Sequence, residues 1–156
     1  MATSLRKELP YDASPDAVAA MLADPAFREE VLERQRVVRG SVTIEGEHVT
    51  IEQVQSAAGL PSFARKFVGD EIVILQREHW RTTTSADMHV TIPGKPGDMA
   101  GPLRLEQHEG GTLEVVELAI KVGIPLVGGK IENLVAEMLG KALDKEHQVG
   151  QEWLSR

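Results

Sequence analysis

From about Lys130 to Leu154 the chain keeps a helical hydrophobic period, and this closing stretch constrains the fold more than any other feature. At 100° per residue, Ile131, Val135, Met138, Ala142, Val149 and Trp153 fall in one narrow stripe, whereas Lys130, Glu137, Lys141, Asp144 and Gln148 fall outside it. Such a helix, about 38 Å long at 1.5 Å per residue, crosses a domain of ordinary size and needs an apolar surface along one side only. Gly140, placed opposite the stripe, and Gly150 weaken the period locally and predict a gentle bend.

The preceding sequence supplies that surface as strands. Leu5, Leu9 and Tyr11 alternate with polar neighbours and predict a first strand. Ser14-Pro15 and Asp24-Pro25 then repeat a helix-start signature and predict short helices over 15–23 and 25–35. From Val37 the period becomes two: Val38, Val42 and Ile44, then Val49 and Ile51 beyond Glu45-Gly46-Glu47, read as a hairpin. Further strands are predicted over 72–80, over 82–92 with Ala86, Met88, Val90 and Ile92 on one face, around Leu103 and Leu105, and over 113–122 with Val116, Leu118, Ile120 and Val122 on one face. Pro93-Gly94 and Gly110-Gly111 mark reversals. Six to seven sequential strands with short turns imply an antiparallel meander wrapped around the closing helix, an α+β fold in which residues 1–156 form a single domain.

Composition narrows the partners. A formal charge of −7 works against a polyanion, because nucleic-acid affinity rests on neutralising phosphates with Lys and Arg. The acids Asp24, Glu29, Glu30 and Glu33 argue likewise against a DNA-reading helix pair. No stretch approaches the roughly 20 apolar residues of a membrane span, and no apolar leader follows the N-terminus, since Arg6, Lys7 and Glu8 come early. With no cysteine among 156 residues, disulfides, thiolate metal sites and cysteine nucleophiles are excluded, and a reducing, cytoplasmic setting is the expectation.

The lead-in Val122-Gly-Ile-Pro-Leu-Val-Gly-Gly-Lys-Ile-Glu132 and the closing Glu146-His-Gln-Val-Gly-Gln-Glu-Trp153, set in this succession of elements, resemble an uncharacterised bacterial family of START-like (SRPBCC) proteins. The resemblance covers nearly the whole chain. Similarity to that superfamily, which includes plant pollen allergens, lipid-transfer domains and polyketide aromatase/cyclases, implies a helix-grip fold with a hydrophobic cavity between sheet and C-terminal helix. Ligands and reactions differ widely across it, so function has to be argued from the site.

Composition supports a cavity independently. Only six residues are aromatic, so the inner face depends on Val, Ile, Leu, Met and Ala, which fill less space per position; a densely packed core is the alternative. The inward positions nominate Val42, Ile51, Gln53, Trp80, Met88, Leu105, Leu118, Val135, Met138 and Glu146 as ligand contacts. Phe63 and Phe67 join them, four apart on a short helix opened by Pro61 and stopped by Gly69, as a flap over the entrance or as a plug for the core. Glu146 falls inside the apolar stripe, where a carboxyl meets a ligand hydroxyl, holds a proton, or pairs with an arginine from the sheet. Gln53 and Gln76 are candidates to orient a ligand.

Catalytic and cofactor patterns are missing. His48, His79, His89, His108 and His147 form no His-x-His or His-x-x-x-His pair, so no metal is expected. No Gly-x-Ser-x-Gly elbow supports a nucleophile. Gly123–Gly129 departs from a phosphate-binding loop, with Gly129 at the lysine position and Ile131 where a hydroxyl residue belongs. The leading expectation is therefore a carrier or sensor of a small hydrophobic molecule, without cofactor. Two alternatives stand beside it. One is an aromatase/cyclase-type enzyme using Glu146, a pocket glutamine and Tyr11; the other is a protein-interaction module with a filled core and a recognition surface at Trp153.

Overall fold

The computed structural model describes residues 2–156. The elements run β1 (Thr3–Tyr11), α1 (Pro15–Leu22), α2 (Pro25–Arg34), β2 (Arg39–Glu45), β3 (His48–Ser56), α3 (Ser62–Val68), β4 (Glu71–Trp80), β5 (Ser85–Thr91), β6 (Asp98–His108), β7 (Gly111–Lys121) and α4 (Gly128–Leu154). The strands form a seven-stranded sheet in the order β1-β7-β6-β5-β4-β3-β2, and every neighbouring pair is antiparallel. β1 joins beside the last strand, while β2 lies on the far edge, so α1 and α2 carry the chain from one edge to the other.

Local chemistry sets the boundaries. Ser14 Oγ accepts from the Ala17 N–H at 3.2 Å and Asp24 Oδ1 from the Ala26 N–H at 2.9 Å, while Pro15 and Pro25 occupy positions whose N–H groups would be orphaned anyway. The β6–β7 reversal falls one residue earlier than the glycine pair suggests. Its two turn residues are Glu109 and Gly110, with φ of 47° and 81°, the left-handed pair that two-residue hairpins use. Gly111 instead opens β7, where a Cβ would lie 2.3 Å from the Tyr11 carbonyl oxygen. β6 is interrupted at Gly101-Pro102: pairing with β7 lapses there, and a side chain at 101 would collide with the Glu117 carbonyl. A glycine and a proline inside a strand let the sheet bend at that point.

α4 lies lengthwise along β1. Lys7 Nζ meets Asp144 at 2.6 Å, and Tyr11 and His147 pack edge to face with ring centroids 4.9 Å apart. Gly140 lies 3.9 Å from Leu5 at its would-be Cβ, so it faces β1, contrary to its expected place opposite the apolar stripe. The N-terminal end of α4 is tied down by Glu132, which accepts from Thr3 Oγ1 at 2.9 Å and from the Val122 N–H at 2.8 Å. These two donors, the backbone one foremost, hold the Glu132 carboxyl below its ordinary proton affinity.

One large apolar cluster joins α1, α2, β1, β5, β6, β7 and α4. A smaller one gathers Leu32, Val49 and Ile51 with Val42, Ile44 and Trp80. Among the described residues, no helix is long and apolar enough to cross a membrane.

Gly150 is the tightest point of this packing. An added Cβ would meet Tyr11 Cε1 at 2.7 Å and Met21 Cε at 3.1 Å. Gly150→Ala should therefore lose about 1–3 kcal/mol to overpacking, despite its gain in helix propensity. Gly140→Ala, whose Cβ would meet only Leu5 at an ordinary contact of 3.9 Å, should hold or gain up to about 1 kcal/mol. Urea midpoints of the two variants check the contrast.

Candidate functional site

Three carboxyl groups and one guanidinium meet inside the sheet. Arg28 projects from α2 and grips Glu78 of β4 with two parallel bonds, Nη1 to Oε2 at 3.0 Å and Nη2 to Oε1 at 2.7 Å, while its Nε donates to the Leu22 carbonyl at 2.8 Å. Glu78 is satisfied further by Gln76 Nε2 at 2.7 Å and Trp80 Nε1 at 3.0 Å. Both partners are no more than 2% exposed. Burial alone would loosen the proton of Arg28, but the Glu78 carboxylate beside it drives its proton affinity up.

Glu146 of α4 approaches the same guanidinium, its Oε2 3.9 Å from Arg28 Nη1. Its partner is thus an arginine of α2, where the sequence suggested one from the sheet. Glu114 of β7 is fully buried; Tyr11 Oη lies 3.5 Å from its Oε1, and its Oε2 has no partner among the described residues. Burial raises the proton affinity of both carboxyls. For Glu146 the arginine opposes the rise; for Glu114 the neighbouring Glu146 adds to it, and the carboxyl stands well above the ordinary range. Burial, then the Glu114 charge, likewise keeps the Tyr11 phenol protonated. With the Arg28 fork already committed to Glu78, both carboxyls and the phenol hold their protons more tightly than they would in water.

Next to this cluster a cavity opens between α4, α2 and the inner face of β3, β4 and β5. It exists because α4 packs chiefly on β1, with lesser contact to α2, α1 and β7, and leaves the inner face of β3 and β4 partly uncovered. The cavity measures about 90 Å³. Pockets for small molecules commonly run about 300–1,000 Å³, so an ordinary ligand would extend beyond this enclosed space through its open side. A hollow outside, between α1 and the β2–β3 turn, is larger at about 500 Å³ but more open, and no buried polar group faces it.

Of the residues nominated from sequence, Ile51, Gln53, Met88, Leu118, Val135, Met138 and Glu146 line the cavity, as does Gln76. The others do not. Val42 packs into the smaller cluster under β2, because the hairpin folds its inner face onto Leu32. Trp80 donates to Glu78, which turns its ring into the outer hollow. Leu105 pairs across from Glu114 in the main core, beyond the end of the cavity. Phe63 and Phe67 are half-buried on α3 but stay off the cavity wall; that helix rests on its Ala64 side and leaves both rings on its flank.

Sequence reasoning missed Arg28, Glu78 and Glu114. Glu78 and Glu114 had left a signal. Each stands in phase with the apolar positions of its strand, Glu78 with Ile72 and Ile74 and Glu114 with Val116 and Leu118. Only Arg28, on a helix of weak amphipathic pattern, left none. None of the histidines is buried, and among the described residues no group of three or more His, Cys, Asp or Glu side chains is placed to hold a metal.

The acids give a stability prediction. The folded chain holds the Glu114 proton above the ordinary value of 4.5, so it binds more protons than the unfolded chain there, and stability falls as pH rises beyond that value. Glu114→Gln should match the parent near pH 4, exceed it at pH 8 and flatten the slope between. Urea unfolding across that range checks this.

The family model described as "Protein of unknown function (DUF2505)" matches residues 7–154. Among solved structures, the chain is similar to the protein TTHA0849 from Thermus thermophilus, at 20% identity over 96% of this chain and 95% of that one, with a TM-score of 0.68. It is similar to a START superfamily protein from Mycobacterium smegmatis at 13% identity, covering 97% and 98%, with a TM-score of 0.63. It is also similar to the Zhui aromatase/cyclase from Streptomyces sp. R1128 at 12% identity, covering 97% and 90%, with a TM-score of 0.61. No curated protein matches it. Identities this low speak for a shared fold, the helix-grip fold of the START superfamily, and the match over residues 7–154 places the chain in the DUF2505 family.

Proposed function

We propose that the chain, as one START-like unit over residues 1–156, binds a small hydrophobic molecule in the cleft between α4 and the inner face of β3–β5. The observation that carries this reading is the cleft wall itself. Ile51, Ile74, Met88, Val90, Val135 and Met138 converge on a space that the off-centre helix leaves unfilled, with a few polar groups at one side. Apolar walls with sparse polar groups are the usual make-up of small-molecule sites. Removing about 300 Å² of ligand surface from water contributes about 7 kcal/mol at roughly 25 cal/mol per Å². The cost of association takes back part of that. Met138, unbranched and adaptable, stands at the wall where different shapes have to be accommodated. Carriage or sensing of such a molecule in a reducing cytoplasm fits a chain without cysteine.

A second reading has its own support. Glu146 is a buried acid in the cavity wall whose proton affinity burial raises, and the fold is shared with aromatase/cyclases. A proton donor beside an apolar substrate is what cyclisation chemistry requires. Glu146→Gln separates the two readings: an enzyme loses turnover with binding intact, and a carrier shows no turnover to lose.

Native mass spectrometry of the purified protein, with extraction of retained species, and thermal melts against a panel of lipids and polycyclic aromatics test the binding. A ligand at 100 times its Kd adds about 2.7 kcal/mol, which should raise Tm by about 5–10 °C. Val135→Phe, which adds bulk to the cavity wall, should remain folded and lose that shift. A panel that moves no melting point, with no species retained, would overturn the proposal.

A further inference from the structure

The polar side of the cleft restricts which apolar molecules it takes. On the inner face of β3 and β4, each amide stands opposite an aliphatic side chain, because Ile51 pairs with Gln76, Gln53 with Ile74 and Gln55 with Ile72. Gln53 and Gln55 follow one another along β3 and Gln76 lies diagonal to Gln53 on β4, an amide stripe over two strands, and all three line the cavity. Their mutual bonding leaves groups unspent. Gln55 Nε2 donates to Gln53 Oε1 at 2.7 Å, which leaves the Gln53 N–H groups without a protein acceptor among the described residues. Gln76 gives its N–H to Glu78 and keeps its carbonyl oxygen. Whichever way each amide is turned, the stripe offers the cleft both a donor and an acceptor.

The charged groups point the same way. Among the described residues, Arg28 and Glu146 are the only ionisable side chains in the wall, and Arg28 already spends its fork on Glu78 and its Nε on the Leu22 carbonyl. The next charge-bearing group near it is another acid, Glu146, at 3.9 Å. An anionic head group brought into the cleft would give up its hydration and find no free cation among the described residues, a loss that only pairing offsets. A hydroxyl costs little to bury here, since it both accepts from Gln53 and donates to an amide oxygen of Gln76 or Gln55.

We infer that this cleft selects electrically neutral apolar molecules bearing a hydroxyl on one edge, and rejects carboxylates of the same shape. The inference rests on the cleft being the binding site, as proposed above. It sorts the possible hydrophobic ligands by head group: alcohols and phenols are taken, fatty acids and aromatic acids are not.

Isothermal titration calorimetry at pH 7.5 with 2-naphthol, 2-naphthoate and naphthalene, three molecules with one apolar body, tests it on the full chain. We expect 2-naphthol to bind at least tenfold more tightly than 2-naphthoate and several-fold more tightly than naphthalene. Gln53→Leu, which removes the free donor without touching the Glu78 pair, should erase the advantage of naphthol over naphthalene. Gln76→Leu is the poorer variant, because it also strips a bond from Glu78. Binding of 2-naphthoate as tight as that of 2-naphthol overturns the inference and leaves the cleft standing as a site. An unchanged naphthol preference in Gln53→Leu overturns the role of the amide stripe. If none of the three binds, the reading of the cleft fails and the inference goes with it.

Discussion

The buried pair between Arg28 and Glu78 fixes the interior of this protein. Bringing both charges out of water costs several kcal/mol per ion, so the pair persists only with its remaining donors and acceptors filled. They are filled from separate elements: the end of α1 through the Leu22 carbonyl, α2 through Arg28 itself, and β4 through Gln76 and Trp80 as well as Glu78. A network of this kind tolerates one geometry. It locks the two short helices against the fourth strand and thereby sets the wall that α2 presents to the cleft.

The second constraint is where the long helix lies. Gly150 allows α4 to approach Tyr11 within contact of its ring, and Lys7–Asp144 and Glu132 hold the rest of the helix along β1. A helix drawn to one edge of a curved seven-stranded sheet cannot also cover the other edge. The inner face of β3 and β4, part aliphatic and part amide, is left partly uncovered, and the cleft is the consequence. The same off-centre placement brings Glu146 of the helix and Glu114 of β7 near Arg28 after Glu78 has claimed its charge. Two acids then share an environment that favours their neutral forms.

The two constraints join at the polar side of the cleft. Gln76 braces Glu78 with its N–H and faces the cavity with its carbonyl, so the residue that completes the ion pair also contributes to the site. Structural and recognition roles are thus carried by one side chain, and the cleft inherits the rigidity of the network behind it.

Much of this was legible in the sequence. The seven strands, the capped helices at Ser14 and Asp24, and the long closing helix all follow from periodicity and turn chemistry, which act over a few neighbouring residues. Strand parity placed Ile51, Gln53, Met88 and Leu118 on the inner face, where they line the cavity. Parity decides only which face a side chain takes. It could not tell that Val42 and Leu105 lie beyond the cavity or that α3 rests on Ala64, because those outcomes depend on how far the sheet curves and where the helix comes to rest. Arg28 was the least legible, since nothing local marks an arginine that finds its partner fifty residues away. The sequence by itself determined the elements, their order and the faces they bury, since short-range sterics and hydrophobic period decide these. The tertiary structure alone decided the ion pair, the raised proton affinity of the buried acids and the cleft, since each arises from groups far apart in the chain meeting where water is excluded.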